Sequence, residues 1–478
     1  MPLILSGNVA SATASTGYDV DNSCRFNDDD SAYLSRTQAS GSTTKFTYSA
    51  WMKRGKLTDA QDFLDVYNDN NNRFGFFWND DDQIDMYNKI SGSVNFQKIT
   101  TAKYRDPSAW YHVVIAADTT LGAAEDRIKL WVNGVRVTSF GTNTNPGSSV
   151  NFSIHSSSHE QRIGSYGTGS SYYDGLYAEV FWIDGTAYAN TDFGEFDSGS
   201  PTIWKPKDCK DNLTFGTNGF YLDFADSGDL GDDESGNGND FTENNIAAVD
   251  QGTDSPTNNF CTMNPLAYRL DSGVSKPTYS EGNCKLVLAD DSGASKSSMG
   301  TIGVTTGLWY WEMKLTTDND AAYCGITRAE YDPNDNFAGR SIYYNSGNGA
   351  LSVGTGTGGT SDGSYGDTYT TGDTVGVAFD ATNGVIWFSI DGVWQNSATI
   401  AEIGAGTTTN AATTGITMSQ TWMPFLEGAD CTWEVNLGGS PAFTVSSGNA
   451  DGNGYGNFEY AVPSGYYALC TKNLAEYG

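Results

Sequence analysis

Basic residues are scarce in this sequence. Lys and Arg together number 26 against 58 Asp and Glu, so the formal net charge is -32. Nucleic-acid binding draws much of its affinity from Lys and Arg side chains that neutralise phosphates. The chain is therefore not expected to bind nucleic acid or to insert into an anionic membrane, whereas its charge favours solubility.

Long apolar runs and paired cysteines are also missing. No run approaches the ~20 residues that cross a membrane. The stretch Leu3–Leu5 has no basic residue before it, so no secretory signal is expected. The 7 cysteines lack C-x-x-C spacing, which predicts buried free thiols and synthesis in a reducing cytosol.

Helical periodicity is the third feature that the sequence lacks. Short alternating apolar runs recur instead, bounded by Gly, Asn, Asp and Ser, and this pattern is typical of β-strands. Aromatic residues make up 13% of the chain, which is enough to build a core. A chain of 478 residues is expected to form about two or three domains. The predicted fold class is all-β, with two β-sandwich (jelly-roll) domains in tandem.

The predicted first domain covers residues 31–205, after an N-terminal attachment arm of residues 1–30. In "RIKLWVNGVRV" the alternating strand ends at Asn133-Gly134, two residue types that tolerate the positive φ of a tight hairpin turn. Residues 206–275 are predicted to form a loose acidic connector, because "DDESGNGND" combines acids with Gly and Asn.

The predicted second domain covers residues 276–440 and is followed by an aromatic-rich tail, residues 441–478. Its strongest signal is "GDTVGVAFDATNGVIWFSIDGVW", which runs from Gly372 to Trp394. Apolar strands there are separated by turns at Asn383-Gly384 and Asp391-Gly392. Such a stretch is apolar because its strands lie between two packed sheets.

Two family resemblances follow from these segments. The second domain resembles the SPRY family in "GLWYWEMKL", "YCGIT", the hairpin above and "MPFLEG". The first resembles the laminin G or concanavalin A-like jelly roll in a Trp-x-His-Val, Val-Asn-Gly and Asp-Gly pattern. The matching residues are Trp110, His112, Val113, Asn133, Gly134, Asp174 and Gly175.

The order of these domains is similar to that in structural proteins of tailed bacteriophages, especially marine ones. This resemblance implies a non-enzymatic virion protein: a capsid decoration, a tail component or a fibre appendage. It would be made in the host cytoplasm and displayed on the virion surface, attached through its arm and first domain with the SPRY-like end outward. Other virion proteins are the expected partners, and a homo-oligomer is expected because attachment sites are symmetric.

Polysaccharide hydrolysis needs two carboxyl groups that flank the scissile bond. Asp62 and Asp65 are three residues apart, and Glu179 and Asp184 are five apart, so regular strands would turn each pair to opposite faces. Glu312 stands alone. The sequence therefore predicts no enzyme, and a depolymerase is the least favoured alternative.

Metal sites are weakly indicated. His112 is predicted to be a hydrogen-bonded framework residue, and His155 and His159 lie in a polar loop without a third zinc ligand. The acids Asp232, Glu234 and Glu243 are the calcium candidates, although the span lacks the glycine of an EF-hand turn. A solvated acidic loop is the preferred interpretation, a structural calcium ion the alternative, and no other cofactor is expected.

A glycan-binding role is the second functional hypothesis. Sugars stack on aromatic rings while Asp and Asn side chains accept hydrogen bonds from their hydroxyl groups. Such residues also serve as core or interface anchors, which is the interpretation preferred for most of them. The candidate ligand-binding residues are Tyr67, Asn68 and Trp78 in the first domain and Tyr331, Tyr343 and Tyr344 in the second.

Overall fold

The computed structural model describes residues 3–5, 17–157, 159–268, 275–289, 295–330, 340–354, 359–362 and 364–478. The chain divides into two compact units. The amino-terminal unit is Ala14–Thr257, and the carboxy-terminal unit is Met1–Thr13 with Asn258–Gly478. Both units are built of β-strands, which confirms the predicted all-β fold with two sandwich domains.

The first strand of the chain, β1 (Ile4–Leu5), belongs to the carboxy-terminal unit. The amino-terminal unit contains β2 (Ser23–Phe26), β3 (Tyr33–Thr37), β4 (Lys45–Arg54), β5 (Gln61–Asp69), β6 (Asn72–Trp78), β7 (Ile84–Ile90), β8 (Ser93–Thr100), β9 (Trp110–Asp118), β10 (Ile128–Val132), β11 (Val135–Arg136), β12 (Phe140–Thr144), β13 (Glu160–Ile163), β14 (Gly175–Asp184), β15 (Gly194–Phe196), β16 (Trp204–Pro206), β17 (Phe220–Leu222), β18 (Thr242–Asn244) and β19 (Gln251–Gly252). Short 3-10 helices lie at Ala124–Asp126, Asn190–Asp192, Lys210–Asn212 and Ala248–Asp250.

Two eight-stranded sheets form most of the described part of this unit, and β15 and β16 pair in a separate two-stranded sheet. The back sheet has the order β11-β10-β9-β4-β14-β2-β19, and β17 also pairs with β14. The front sheet has the order β12-β8-β7-β6-β5-β13-β3-β18. The core between them is apolar and includes Tyr48, Leu64, Phe76, Ile115 and Trp182. The predicted hairpin turn is present, since Asn133 has φ 46 and Gly134 has φ 78.

The acidic segment after residue 205 differs from the predicted loose connector. β17, β18 and β19 pair with strands of the two sheets, so residues 206–257 belong to the amino-terminal unit. The physical reason is that Phe220, Leu222 and Phe241 are buried in its core and fix the segment in place. The predicted arm differs as well, because β2 is buried in the back sheet of the amino-terminal unit, whereas β1 belongs to the carboxy-terminal unit.

The carboxy-terminal unit contains β20 (Met263–Tyr268), β21 (Thr278–Ser280), β22 (Lys285–Leu288), β23 (Lys296–Gly300), β24 (Ile302–Gly303), β25 (Leu308–Arg328), β26 (Ser341–Asn345), β27 (Leu351–Gly354), β28 (Gly359–Asp362), β29 (Thr374–Asp380), β30 (Val385–Ile390), β31 (Val393–Trp394), β32 (Trp422–Asn436) and β33 (Tyr467–Ala468). Its two helices are α1 (Ile400–Gly404) and α2 (Thr471–Tyr477). β1 pairs in parallel with β24.

Two long strands organise the carboxy-terminal unit. β25 and β32 are antiparallel partners along most of their length, with shifts in register between Leu315 and Thr317 and between Asp318 and Ala321. β29 flanks the first half of β25, and β26 flanks the second half. Bulges of this kind bend a strand, which lets one strand serve two layers of a sandwich. Trp309, Phe388 and Trp433 lie in the resulting core.

The tail, residues 441–478, packs onto the carboxy-terminal unit. β33 pairs in parallel with β25, and Phe458, Tyr466, Leu469 and Leu474 are buried. All 7 cysteines are buried with free thiols, as predicted. None of the helices in the described part of the chain is long and apolar enough to cross a membrane.

Candidate functional site

Buried carboxyl groups and half-buried aromatic rings meet on the face of the front sheet that points away from the core. On β5 and β6 the side chains of Leu64, Val66, Phe74 and Phe76 belong to the core cluster. The intervening side chains point to the opposite face, because neighbours in a strand alternate. We call this surface the Arg73 face and define it by Asp62, Asp65, Tyr67, Arg73, Asp85, Tyr87 and Tyr166.

The two β5 carboxylates of the Arg73 face bind one guanidinium. Arg73 donates from Nη2 to Asp62 Oδ1 and from Nε to Asp65 Oδ1, both at 2.6 Å. The expectation that Asp62 and Asp65 lie on opposite faces is therefore wrong. The reason is a shift in the β5–β6 register between Asp62 and Leu64, a bulge that brings acids three residues apart onto one side.

Burial shapes the electrostatics of these acids. Burial and the neighbouring Asp65 carboxylate raise the pKa of Asp62 well above its usual range, although Arg73 opposes the rise. Burial raises the pKa of Asp65 to about 6, again against the effect of Arg73. Burial also raises the pKa of Asp85 to about 6, and the Gln97 amide that hydrogen-bonds to it at 3.0 Å counteracts this. The face therefore holds three acids that gain protons more readily than free aspartates do.

Aromatic rings surround the guanidinium. Arg73 Cζ lies 3.7 Å from the ring centroid of Tyr166 and 4.8 Å from that of Tyr87. Tyr166 makes an edge contact with Tyr67 at 5.6 Å, and both hydroxyls donate to Asn70 Oδ1 at 3.3 Å. Because Tyr67, Tyr87 and Tyr166 are only half-buried, their rings and hydroxyl groups remain accessible to a ligand.

Gly75 provides the space for the Asp65 carboxylate. A Cβ at this position would lie 2.9 Å from Asp65 Oδ1 and 3.4 Å from the Leu64 carbonyl oxygen. On the other side, the Gly167 amide donates to Asp65 Oδ2 at 2.9 Å. The carboxylate is thus held between Arg73 and a backbone amide, in a fixed orientation.

The sequence-predicted residues of the first domain differ in their exposure. Tyr67 lies on the Arg73 face, and Asn68 is exposed beside it, donating to Asp69 Oδ2 at 3.2 Å. Trp78 is fully buried, with its ring under the Arg54 guanidinium at 4.8 Å. It is a core residue and cannot contact a ligand.

The predicted residues of the second domain also differ in burial. Tyr344 is buried and donates its hydroxyl to the Asp367 carbonyl oxygen. Tyr343 is half-buried and packs edge-on against Tyr323 at 5.2 Å. Tyr331 lies outside the described residues. Their contacts favour a packing role for Tyr344 and leave Tyr343 partly accessible.

Sequence reasoning missed Arg73, Asp85, Tyr87 and Tyr166. The signal for Arg73 was present, because Asp65 and Arg73 flank an Asn-rich turn and a hairpin would bring them onto adjacent strands. No local pattern indicates Tyr166, which reaches the face from the segment after β13.

The acidic loop is organised by a residue outside the calcium candidates. Asp233 accepts hydrogen bonds from the backbone amides of Tyr221, Ser235 and Asn239 at 2.9 Å. Within the described ranges, no three His, Cys, Asp or Glu side chains are grouped to hold a metal ion.

The three calcium candidates themselves have separate environments. Glu234 pairs with Lys210 at 2.9 Å, Glu243 accepts from the Leu230 amide at 2.5 Å, and Asp232 is exposed. Since Glu234 and Glu243 are each engaged elsewhere, the three acids form no common ligand set.

The buried histidines are framework residues. Trp204 donates its indole N–H to His112 Nδ1 at 2.8 Å, so His112 Nε2 carries the proton and donates to Ser49 Oγ at 2.8 Å. Burial lowers the pKa of His112 to about 3. His112 therefore cannot take a proton from Ser49, and the predicted framework role is confirmed.

His155 is also buried, unlike the polar loop residue that the sequence indicated. Its Nε2 accepts from the Trp182 indole at 2.9 Å, and its Nδ1 bonds to the Ser42 carbonyl oxygen. Both ring nitrogens are thus occupied by framework groups rather than by a ligand.

The fold and this site define a protein made of two β-sandwich domains of binding type. Residues 26–188 match the family described as the concanavalin A-like lectin/glucanases superfamily (Laminin_G_3), and residues 308–405 match the SPRY domain. Both predicted resemblances are confirmed. Laminin G and SPRY domains generally mediate binding to proteins or glycans.

Solved structures similar to parts of the chain include the SPRY domain of human HERC1, at 15% identity over 36% of this chain and 96% of that chain, with a TM-score of 0.28. A heptameric SAP-like pentraxin from Limulus polyphemus is 16% identical over 36% of this chain and 80% of that chain, with a TM-score of 0.28. A human SPRY domain is 13% identical over 34% of this chain and 94% of that chain, with a TM-score of 0.25. No curated protein matches this chain.

Proposed function

We propose that this protein is a non-enzymatic attachment protein of a tailed-phage virion and that it binds host-surface glycan through the Arg73 face. The observation that carries the glycan part is the pair of carboxylates held by Arg73 at 2.6 Å, beside half-buried tyrosine rings. This combination offers both kinds of contact that a sugar needs.

The chemistry of the face suits a carbohydrate. Tyr87 and Tyr166 expose ring surface on which the apolar C–H face of a pyranose can pack. Asp85, Asn70 and the tyrosine hydroxyls supply acceptors and donors for sugar hydroxyl groups. The Arg73 ion pairs hold the neighbouring acids in place before binding, which lowers the entropy cost of ordering them around a ligand.

The same ion pairs support the non-enzymatic proposal. A glycosidase needs one carboxyl that donates a proton and one that attacks or activates water. Asp62 and Asp65 each accept a hydrogen bond from Arg73 at one oxygen, and the Gly167 amide donates to the second oxygen of Asp65. Asp65 therefore has both oxygens engaged, which disfavours a role as acid or nucleophile, whereas these contacts engage only one oxygen of Asp62.

The rival hypothesis of a depolymerase is favoured by one observation, the raised pKa of Asp65 and Asp85, since perturbed acids are common at catalytic sites. A reducing-end assay on host polysaccharide distinguishes the two hypotheses. We expect no release above the buffer blank. Release that Asp85→Asn abolishes would overturn the non-enzymatic proposal.

A glycan array probed with the purified full chain tests the binding proposal. We expect wild-type binding, with and without calcium, that Tyr166→Ala removes because the ring over Arg73 is lost. Phe196→Ala is the matched control, because Phe196 is a 44% exposed aromatic residue of the same unit on another sheet. Absence of wild-type binding, or equal loss in both variants, would contradict the proposal.

The virion assignment is supported by the order of the two domains and by their resemblance to phage structural proteins. The protein would be made in the host cytoplasm, assemble with other virion proteins as a homo-oligomer and lie on the virion surface. Negative-stain images of particles lacking the protein test this assignment. A missing appendage or decoration is expected, and particles indistinguishable from wild type would count against it.

A further inference from the structure

A groove of about 500 Å³ lies in the carboxy-terminal unit. The hairpin of β30 and β31 forms one side, the start of α1 a second, and the tail a third. We call it the Val393 groove and define it by Tyr310, Ser389, Asp391, Val393, Ile400 and Tyr460.

The rim of the Val393 groove is aliphatic and open to solvent. Val393 is 67% exposed and Ile400 is 39% exposed, whereas Trp394 and Tyr310 below them are buried. Two exposed aliphatic side chains on either side of one groove favour an apolar ligand group.

Two polar groups in the groove have unused hydrogen-bonding capacity. Ser389 is 1% exposed, and its Oγ has no hydrogen-bond partner among the described residues. Asp391 accepts from the Thr374 amide at 3.0 Å and from the Tyr460 hydroxyl at 3.2 Å, both at Oδ1. In the described part of the chain Asp391 has no salt bridge. The Asp391 carboxylate, beside the aliphatic rim, can therefore form an ion pair with a positively charged group of a ligand.

Tyr460, which forms one wall of the groove, is held in place by a hydrogen bond to Glu312. Glu312 is buried and accepts from the backbone amides of Glu459 at 2.9 Å and Tyr460 at 2.8 Å. It also binds the Tyr310 hydroxyl at 3.0 Å. The groove is thus a built feature, because two backbone amides of the tail are hydrogen-bonded to Glu312 on the strand that forms the floor.

We propose that the Val393 groove docks an extended segment of a partner protein. The segment inserts an aliphatic side chain between Val393 and Ile400 and pairs a Lys or Arg side chain with Asp391. Charge argues against a second copy of this chain as the occupant, because its net charge is -32 and Lys and Arg number only 26. The inference is independent of the Arg73 face.

Selection of random dodecapeptides displayed on a surface tests the proposal, with the full chain as bait. We expect selected peptides in which an aliphatic residue lies near a Lys or Arg. Val393→Ser should weaken their binding about tenfold or more, because burial of a Val side chain stabilises by about 1.5–3 kcal/mol. Asp391→Asn should weaken it as well, and more so at low salt.

Val135→Ser is the matched control, since Val135 is 63% exposed and follows Asn133-Gly134 as Val393 follows Asp391-Gly392. Asn tolerates the φ of 48 at position 391, so both groove variants are expected to fold, as thermal unfolding would check. Failure to enrich any peptide, enrichment of peptides without a basic residue, or equal loss in the control would overturn the proposal. Self-association of the wild type that Val393→Ser abolishes would overturn it in favour of a second copy.

Discussion

Replacement of Arg73 with methionine would leave two buried carboxylates without their shared positive charge. The Asp65 side chain is fully buried, the Asp62 side chain is 5% exposed, and Arg73 contacts both at 2.6 Å. Removing one partner of a buried ion pair costs about 3–5 kcal/mol when the other charge stays buried. We expect Arg73→Met to lose this amount at pH 8, where the unfolded chain carries both charges.

The loss should shrink in mild acid. In the folded wild type the pKa of Asp65 is about 6, above its ordinary value of 3.8, and without Arg73 it should rise further. A carboxyl with a raised folded pKa contributes stability that is present below the unfolded pKa and is lost as the pH rises through the folded pKa. At pH 5 both carboxyls of the variant can be protonated in the folded state. The expected cost there falls to about 1–2 kcal/mol, that of lost hydrogen bonds.

Urea unfolding of the full chain at pH 5 and pH 8 measures both values. A chain with two compact units can show two transitions, and only the one for the amino-terminal unit should move. Arg105→Met is the control, because Arg105 is 46% exposed and its partner Asp82 keeps Arg54 at 3.1 Å. It should cost under about 1 kcal/mol. Equal losses in Arg73→Met at both pH values would refute the reasoning.

Three other outcomes are expected. Gly75→Ala should cost about 1–3 kcal/mol and reduce glycan binding, because its Cβ would lie 2.9 Å from Asp65 Oδ1, whereas Gly122→Ala, with no atom within 4 Å, should do neither. Burial raises the pKa of Glu179 from 4.5 to about 7, so wild-type stability should fall as the pH rises through this range. Glu179→Gln should therefore raise the melting temperature at pH 8 but not at pH 4. A thiol reagent should leave all 7 buried cysteines unmodified until the chain is denatured, and rapid reaction of the native chain would contradict their burial.

The hairpins were predictable because the turns specify themselves. Asn133-Gly134 and Asp391-Gly392 both adopt positive φ at both positions, which few other residue pairs tolerate. Alternation then determines which side chains of the adjoining strands face the core. The two domains and their family resemblances were predictable from such segments, because each hairpin and its adjoining strands form a characteristic part of the sheet.

The segment after residue 205 was not predictable in the same way. Its acids and glycines have the composition of a linker, and the strands β17, β18 and β19 in it are only two or three residues long. Asp233 accepts hydrogen bonds from the backbone amides of its own loop. Polar groups that suggested solvent exposure are therefore hydrogen-bonded to one another. Composition indicates how polar a segment is, but it does not indicate whether those polar groups are satisfied by water or by each other.

Asp62 and Asp65 show where counting along a strand fails. Successive side chains alternate between the two faces of a sheet only while the strand pairing stays in register. The bulge between Asp62 and Leu64 interrupts this alternation. Glu179 lies at a second register shift, between Ala178 and Phe181, and has φ 52. Asp62 and Glu179 thus both lie where a strand departs from regular geometry, a change that residue spacing does not reveal. Because bulges often re-aim side chains at functional sites, the pairing of Asp62 and Asp65 on Arg73 is the reason that we propose ligand binding at the Arg73 face, which includes Tyr67 of the predicted aromatic set.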